Sequence, residues 1–104
     1  MAIIENAYTW TFTSTGTGNI LDARGVAQSL TFGIETSSGC TATTIILHRM
    51  GSSAGPMTSM HSTSMAAGIF VTAQMLGPLE YLAPRVSDKT AGSTNVVTVY
   101  LKGN

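Results

Sequence analysis

The residues in this chain best suited to chemistry lie within nine positions, Met57-x-x-Met60-His61-x-x-x-Met65. Thioether and imidazole donors suit Cu(I), so this spacing, with Cys40 elsewhere, is the one candidate metal set. The competing use of Met is packing: a flexible, polarisable side chain fills uneven contacts, above all between subunits. That reading is favoured here, and it marks Met57, Met60 and Met65 as candidate interface residues. A hydrolytic relay needs a nucleophile, a base and an orienting carboxylate. His48 and His61 are the only imidazoles, and the acids are Glu5, Asp22, Glu35, Glu80 and Asp88. No Gly-x-Ser-x-Gly and no His-Glu-x-x-His frames any of them, so no catalytic residue is assigned and no enzymatic activity is expected. Asp22-Ala23-Arg24-Gly25 reads as a turn with a local ion pair. Trp10, Tyr81 and Tyr100 would make a sugar-stacking platform if exposed, but strand spacing assigns them to packing.

The elements that hold these residues read as strands. Tyr8, Trp10 and Phe12 alternate with Thr9, Thr11 and Thr13, the period of a strand with one buried face, and the single Trp should anchor the core there. Residues 14–19 have turn composition, and residues 20–25 are ambiguous. Further strands are expected over residues 27–35, with Leu30, Phe32 and Ile34 on one face, over 41–50 and over 68–74. Apolar residues on both faces of 41–50 place that strand inside a sheet and covered on both sides. Residues 57–65 read as an edge strand or an irregular excursion. The last quarter reads as a hairpin central to the fold, residues 81–88 turning through 89–94 into 95–101. Pro84 cannot donate to a ladder, which puts its strand at an edge or at a bulge. Seven or eight short strands at regular spacing, with no helix of useful length, predict an all-β antiparallel sandwich, Ig-like or jelly-roll-like.

The 104 residues make one domain, 1–104, with residues 1–7 as an extended arm whose Ile3 and Ile4 are also candidate interface residues. Charged residues are only 10% of the chain and the formal net charge is zero, a composition that promotes association. The basic residues Arg24, Arg49, Arg85, Lys89 and Lys102 are scattered, which argues against nucleic acid as a partner. No apolar run approaches the ~20 residues that cross a bilayer, so no membrane segment is expected. Cys40 stands alone, so no intrachain disulfide forms. The first residues lack a basic region followed by an apolar one, which predicts synthesis in a reducing cytoplasm.

Residues 68–103 carry a pattern of another kind: Gly68-Ile69-Phe70, then Gly77-Pro78, then Tyr81-Leu82-Ala83-Pro84-Arg85-Val86-Ser87, then Gly92 and Val97-Thr98-Val99-Tyr100-Leu101-Lys102-Gly103. With Gln28-Ser29-Leu30-Thr31-Phe32-Gly33-Ile34 and Ala42-Thr43-Thr44-Ile45-Ile46-Leu47-His48-Arg49 ahead of it, this order resembles small β-sandwich virion proteins of tailed bacteriophages over residues 27–103. The resemblance implies a virion component without enzymatic activity. Together with the charge-poor composition it points to a head decoration, or cement, protein. Such a protein binds the outer surface of the assembled head, bridges major capsid subunits and assembles as a homotrimer. It needs no cofactor and no small-molecule substrate. The alternative is a tail, neck or fibre module that binds another virion protein or a host glycan. A cellular metal or redox protein using Met57, Met60, His61 and Cys40 is the third reading.

Overall fold

Alternating Thr, Val, Ile and aromatic residues fit a pleated surface with one covered face. The computed structural model, which describes residues 8–24, 29–76 and 80–103, builds strands from them and no helix. In order they are β1 (Tyr8–Phe12), β2 (Gly16–Thr17), β3 (Leu21–Asp22), β4 (Ser29–Thr36), β5 (Ala42–Arg49), β6 (Thr58–Met65), β7 (Phe70–Leu76), β8 (Tyr81–Lys89) and β9 (Val97–Gly103). One sheet runs β1-β9-β4-β7 and the other β2-β8-β5-β6, with β3 also on β8; every pairing is antiparallel.

This order is that of a ribbon rolled into two layers. Count β2 and β3 as one interrupted strand. The pairs β1·β9, β2/β3·β8, β4·β7 and β5·β6 are then successive rungs of one long antiparallel ribbon. Rolling the ribbon brings β9 beside β4 and β8 beside β5. Of the two sandwich types expected, the jelly roll is therefore the one formed, with eight strand positions.

The core lies between the layers. Phe12, Leu30, Phe32, Ile34, Ile46, Leu82, Val86, Val97, Val99 and Leu101 are all buried, each at the inward phase of its strand. On β1 the expected face is inward but unevenly covered. Phe12 is buried, Trp10 is half-buried against the core, and Tyr8 is 47% exposed.

Two expectations about the last quarter are corrected. β8 and β9 are not a hairpin, because they lie in opposite sheets, each interior to its own. The segment between them is shaped to arch across the layers: Lys89 Nζ donates to the carbonyls of Thr90 (2.6 Å), Gly92 (3.2 Å) and Asn95 (2.5 Å). Three N–H bonds on one ammonium hold three carbonyls of this loop. Pro84 is interior rather than at an edge, paired with Ile46 on one side. Its carbonyl accepts from Gly18 N–H at 2.8 Å, so its missing donor faces the gap between the two-residue strands β2 and β3, where no ladder bond is lost. A bulge does occur on β8, where the pairing shifts across Ser87 between Asp88 and Val86.

At this end of the sandwich the loops are stitched together. Thr36 Oγ1 donates to Ala66 O (2.9 Å) and accepts from Ile69 N–H (3.1 Å). Ser37 accepts on its carbonyl from Cys40 and Gly68, and on its Oγ from Val96 N–H. Three interlayer crossings are thus fixed by two adjacent residues at the end of β4, through both side chain and backbone.

Candidate interaction surfaces

The outer face of the β1-β9-β4-β7 sheet is built from alternate residues: Thr9 and Thr11 on β1, Thr98 and Tyr100 on β9, Thr31 and Glu35 on β4, Thr72 and Gln74 on β7. Among the described residues, Glu35 and Lys102 are the only charges on this face. Phe70 enters it from the edge and is 55% exposed. Its ring lies over Gly33, where an added Cβ would stand 2.7 Å from Phe70 Cζ, and it meets Tyr100 with centroids 6.5 Å apart and planes at 53°. The missing side chain of Gly33 thus leaves the room that the tip of the Phe70 ring occupies. Sequence periodicity places Gly33 on the polar phase of β4 but gives no hint that it receives a ring from β7.

The outer face of the second sheet carries Ile45 and Leu47; β5 is interior to its sheet as expected, but its outward side is only half-buried among the described residues. Ile45 stands between Ser62 and Arg85, and Leu47 between Ser59 and Ala83. At its rim the Asp22–Arg24 pair expected from sequence forms: Arg24 donates through Nε and Nη2 to the two carboxylate oxygens at 3.0 and 2.8 Å. Those bonds hold the Asp22 carboxyl below the usual carboxylate range. The same guanidinium lies 5.1 Å above the Tyr81 ring.

A third feature is a cleft of about 430 Å³ lined by residues 9–19, where the edges of the two sheets diverge. Its walls carry the hydroxyls of Thr9, Thr11, Thr13, Ser14 and Thr15. Trp10 closes it, with its indole N–H donated to Asn19 O at 3.0 Å and its ring packed on Gly18.

The Met/His cluster is spread out. Met57 is half-buried. Met60 is exposed at the bulge of β6, where the pairing with β5 skips from His61 to Ser59. Met65 is 4% exposed and packs into the core, which leaves a partner almost nothing of its side chain to touch. Ile3 and Ile4 lie outside the described residues. His61 shares a 2.7 Å hydrogen bond with Thr63 Oγ1, and His48 Nε2 accepts from Glu80 N–H at 3.4 Å. Neither of these partners is a carboxylate. Cys40 is fully buried, its thiol against the Thr41 carbonyl.

No family model, no curated protein and no solved structure matches this chain.

Proposed function

We propose that this chain is a non-enzymatic decoration protein of a phage head. It binds the outer surface of the assembled shell and bridges neighbouring major capsid subunits, as a homotrimer. The observation that carries the reading is the outer face of the β1-β9-β4-β7 sheet: four strands wide, almost without charge, hydroxyl-rich, with the Phe70 ring half out of the protein. Charge-depleted surface with an exposed aromatic anchor is the composition of interface centres. The resemblance over residues 27–103 supports the same reading, and so does the jelly roll, an architecture common in capsid proteins that does not by itself fix a function.

Stabilisation follows from mass action. A partner that binds only the assembled shell shifts the equilibrium toward it. Several weak contacts per oligomer add through effective concentration. The test is cosedimentation of purified protein with expanded heads lacking it. Saturable binding in fixed ratio to the shell subunit, with heads that withstand higher temperature, is expected. No binding at saturating concentration discards the reading.

A second reading is favoured by one observation, the hydroxyl-lined cleft beside Trp10. An uncharged cleft with an aromatic wall suits a neutral polyhydroxylated ligand, and so a tail, neck or fibre module that binds a host glycan. Glycan titration followed by Trp10 emission, together with a copy number of only a few per particle, would establish it in place of the first.

A further inference from the structure

The four sheet edges of this sandwich are not treated alike. On the second sheet one edge is broken into the dipeptides β2 and β3, and the other, β6, is interrupted by the bulge at Met60. Short and bulged strands are the usual means by which proteins keep an edge from pairing with another chain. On the first sheet neither edge has such protection. β1 reads YTWTF and β7 reads FVTAQML, with no charge, no Pro, no Gly and no register shift against β9 or β4.

The direction of the free backbone groups follows from the ladder. Thr36 N–H donates to Ile69 O, so pairs of that phase, Ile34↔Val71 and Phe32↔Ala73, exchange the β4–β7 bonds. The N–H and C=O groups of Thr72 and Gln74 therefore point away from β4, into the open. On the other side of β4, Ser37 N–H donates to Val96 O, so Glu35↔Thr98 and Gly33↔Tyr100 carry the β4–β9 bonds. Val97, Val99 and Leu101 are then left to bond β1 through Phe12, Trp10 and Tyr8. Thr9 and Thr11 are the β1 residues whose backbone groups point outward. Among the described residues nothing pairs with either edge.

We propose that copies of this chain join edge to edge, β7 of one copy pairing with β1 of the next in one continuous antiparallel sheet. Neighbouring strands alternate in direction across β1-β9-β4-β7, so β1 and β7 run opposite ways. Copies related by rotation about an axis along the strands then meet antiparallel without any rearrangement. Backbone pairing asks for no complementary side-chain chemistry, only for the absence of repulsion, and two uncharged strands on a chain of zero net charge provide that. A head-to-tail contact of this kind closes into a ring when the rotation closes. It uses both unprotected edges of every copy, whereas a two-fold β7–β7 contact would leave β1 open. The join places Thr9 and Thr11 against Thr72 and Gln74, hydroxyl and amide side chains on one face.

The inference deepens the oligomer in the reading above and does not depend on head binding, which the cosedimentation assay reads separately. The experiment is residue-resolved amide hydrogen exchange with light-scattering mass, on the full chain across a concentration series. A defined oligomer is expected. In it the amides of Thr9, Thr11, Thr72 and Gln74 exchange at least ~10-fold more slowly than on dilution to monomer, the factor set by ~1.4 kcal/mol. Thr72→Pro and Thr11→Pro each remove an N–H that has no acceptor among the described residues, and each should give a folded monomer by mass and circular dichroism. A monomer at all concentrations overturns the inference. So does an oligomer in which these four amides exchange freely, or one that protects Thr72 and Gln74 alone. If a proline variant fails to fold, the wild-type exchange pattern still decides.

Discussion

Two threonines show how much a hydroxyl's partner decides. Thr36 and Thr44 are both buried, at 3% and 0% exposure. Thr36 Oγ1 bonds Ala66 O and Ile69 N–H, whereas Thr44 Oγ1 has no hydrogen-bond partner among the described residues. Removing a satisfied buried hydroxyl strands its partners, at about 1–3 kcal/mol, while removing an orphaned one relieves a desolvation cost. Thr36→Val should therefore lower the unfolding free energy by about 1–3 kcal/mol, and Thr44→Val should raise it by about 1 kcal/mol. Urea midpoints of the two variants check this, and the same sign for both contradicts it. Gly18 makes a third case. A Cβ there would stand 2.7 Å from Trp10 Cδ1 and 3.2 Å from Phe12 Cζ. Gly18→Ala should cost about 1–3 kcal/mol by overpacking and shift Trp10 emission as the ring is pushed toward solvent. Emission identical to wild type would place the ring elsewhere.

At the scale of elements, the alternation of β1 and β4 was legible because each has one apolar face, and a period of two is all that such a face requires; β5, apolar on both faces, was legible as a strand inside its sheet. The outward phases were legible as polarity and opaque as contact: nothing in the order of residues announces that Phe70 lies on Gly33. β2 was invisible for a different reason. Gly16 and Thr17 sit in a stretch of turn composition and pair only through their backbones with Val86 and Arg85. The supposed last hairpin failed because its turn is read locally, while the layer each strand joins follows from pairing with distant strands, β8 with β5 and β9 with β4, and Lys89 then ties down the loop between them. That ammonium is the element's clasp. Lys89→Ala should cost about 1–3 kcal/mol, as loss of charge-assisted hydrogen bonds does, and raise exchange through residues 90–96. Lys89→Arg should not restore it, because a planar fork cannot direct three donors at these three carbonyls. Full rescue by Arg would show that charge alone matters.

At the scale of the molecule, so little charge on 104 residues leaves a surface defined by hydroxyls, a few apolar residues and unprotected strand edges. The composition favours association but does not point to a surface for it. The choice of the β1-β9-β4-β7 face rests on Gly33, Phe70 and Tyr100, which meet only in three dimensions. If that face docks on the shell, Phe70→Ser should weaken head binding by roughly 30-fold, the ~2 kcal/mol typical of an aromatic anchor. Loss of stability should be small for a ring already more than half in solvent, and a calorimetric scan of the free protein separates the two effects.

The most direct measurement is the mass of protein retained on purified expanded heads as its concentration is raised. A plateau in fixed proportion to the major capsid subunit is expected, reached with wild type and displaced to higher concentration by Phe70→Ser. Heads that sediment bare at every concentration would contradict it.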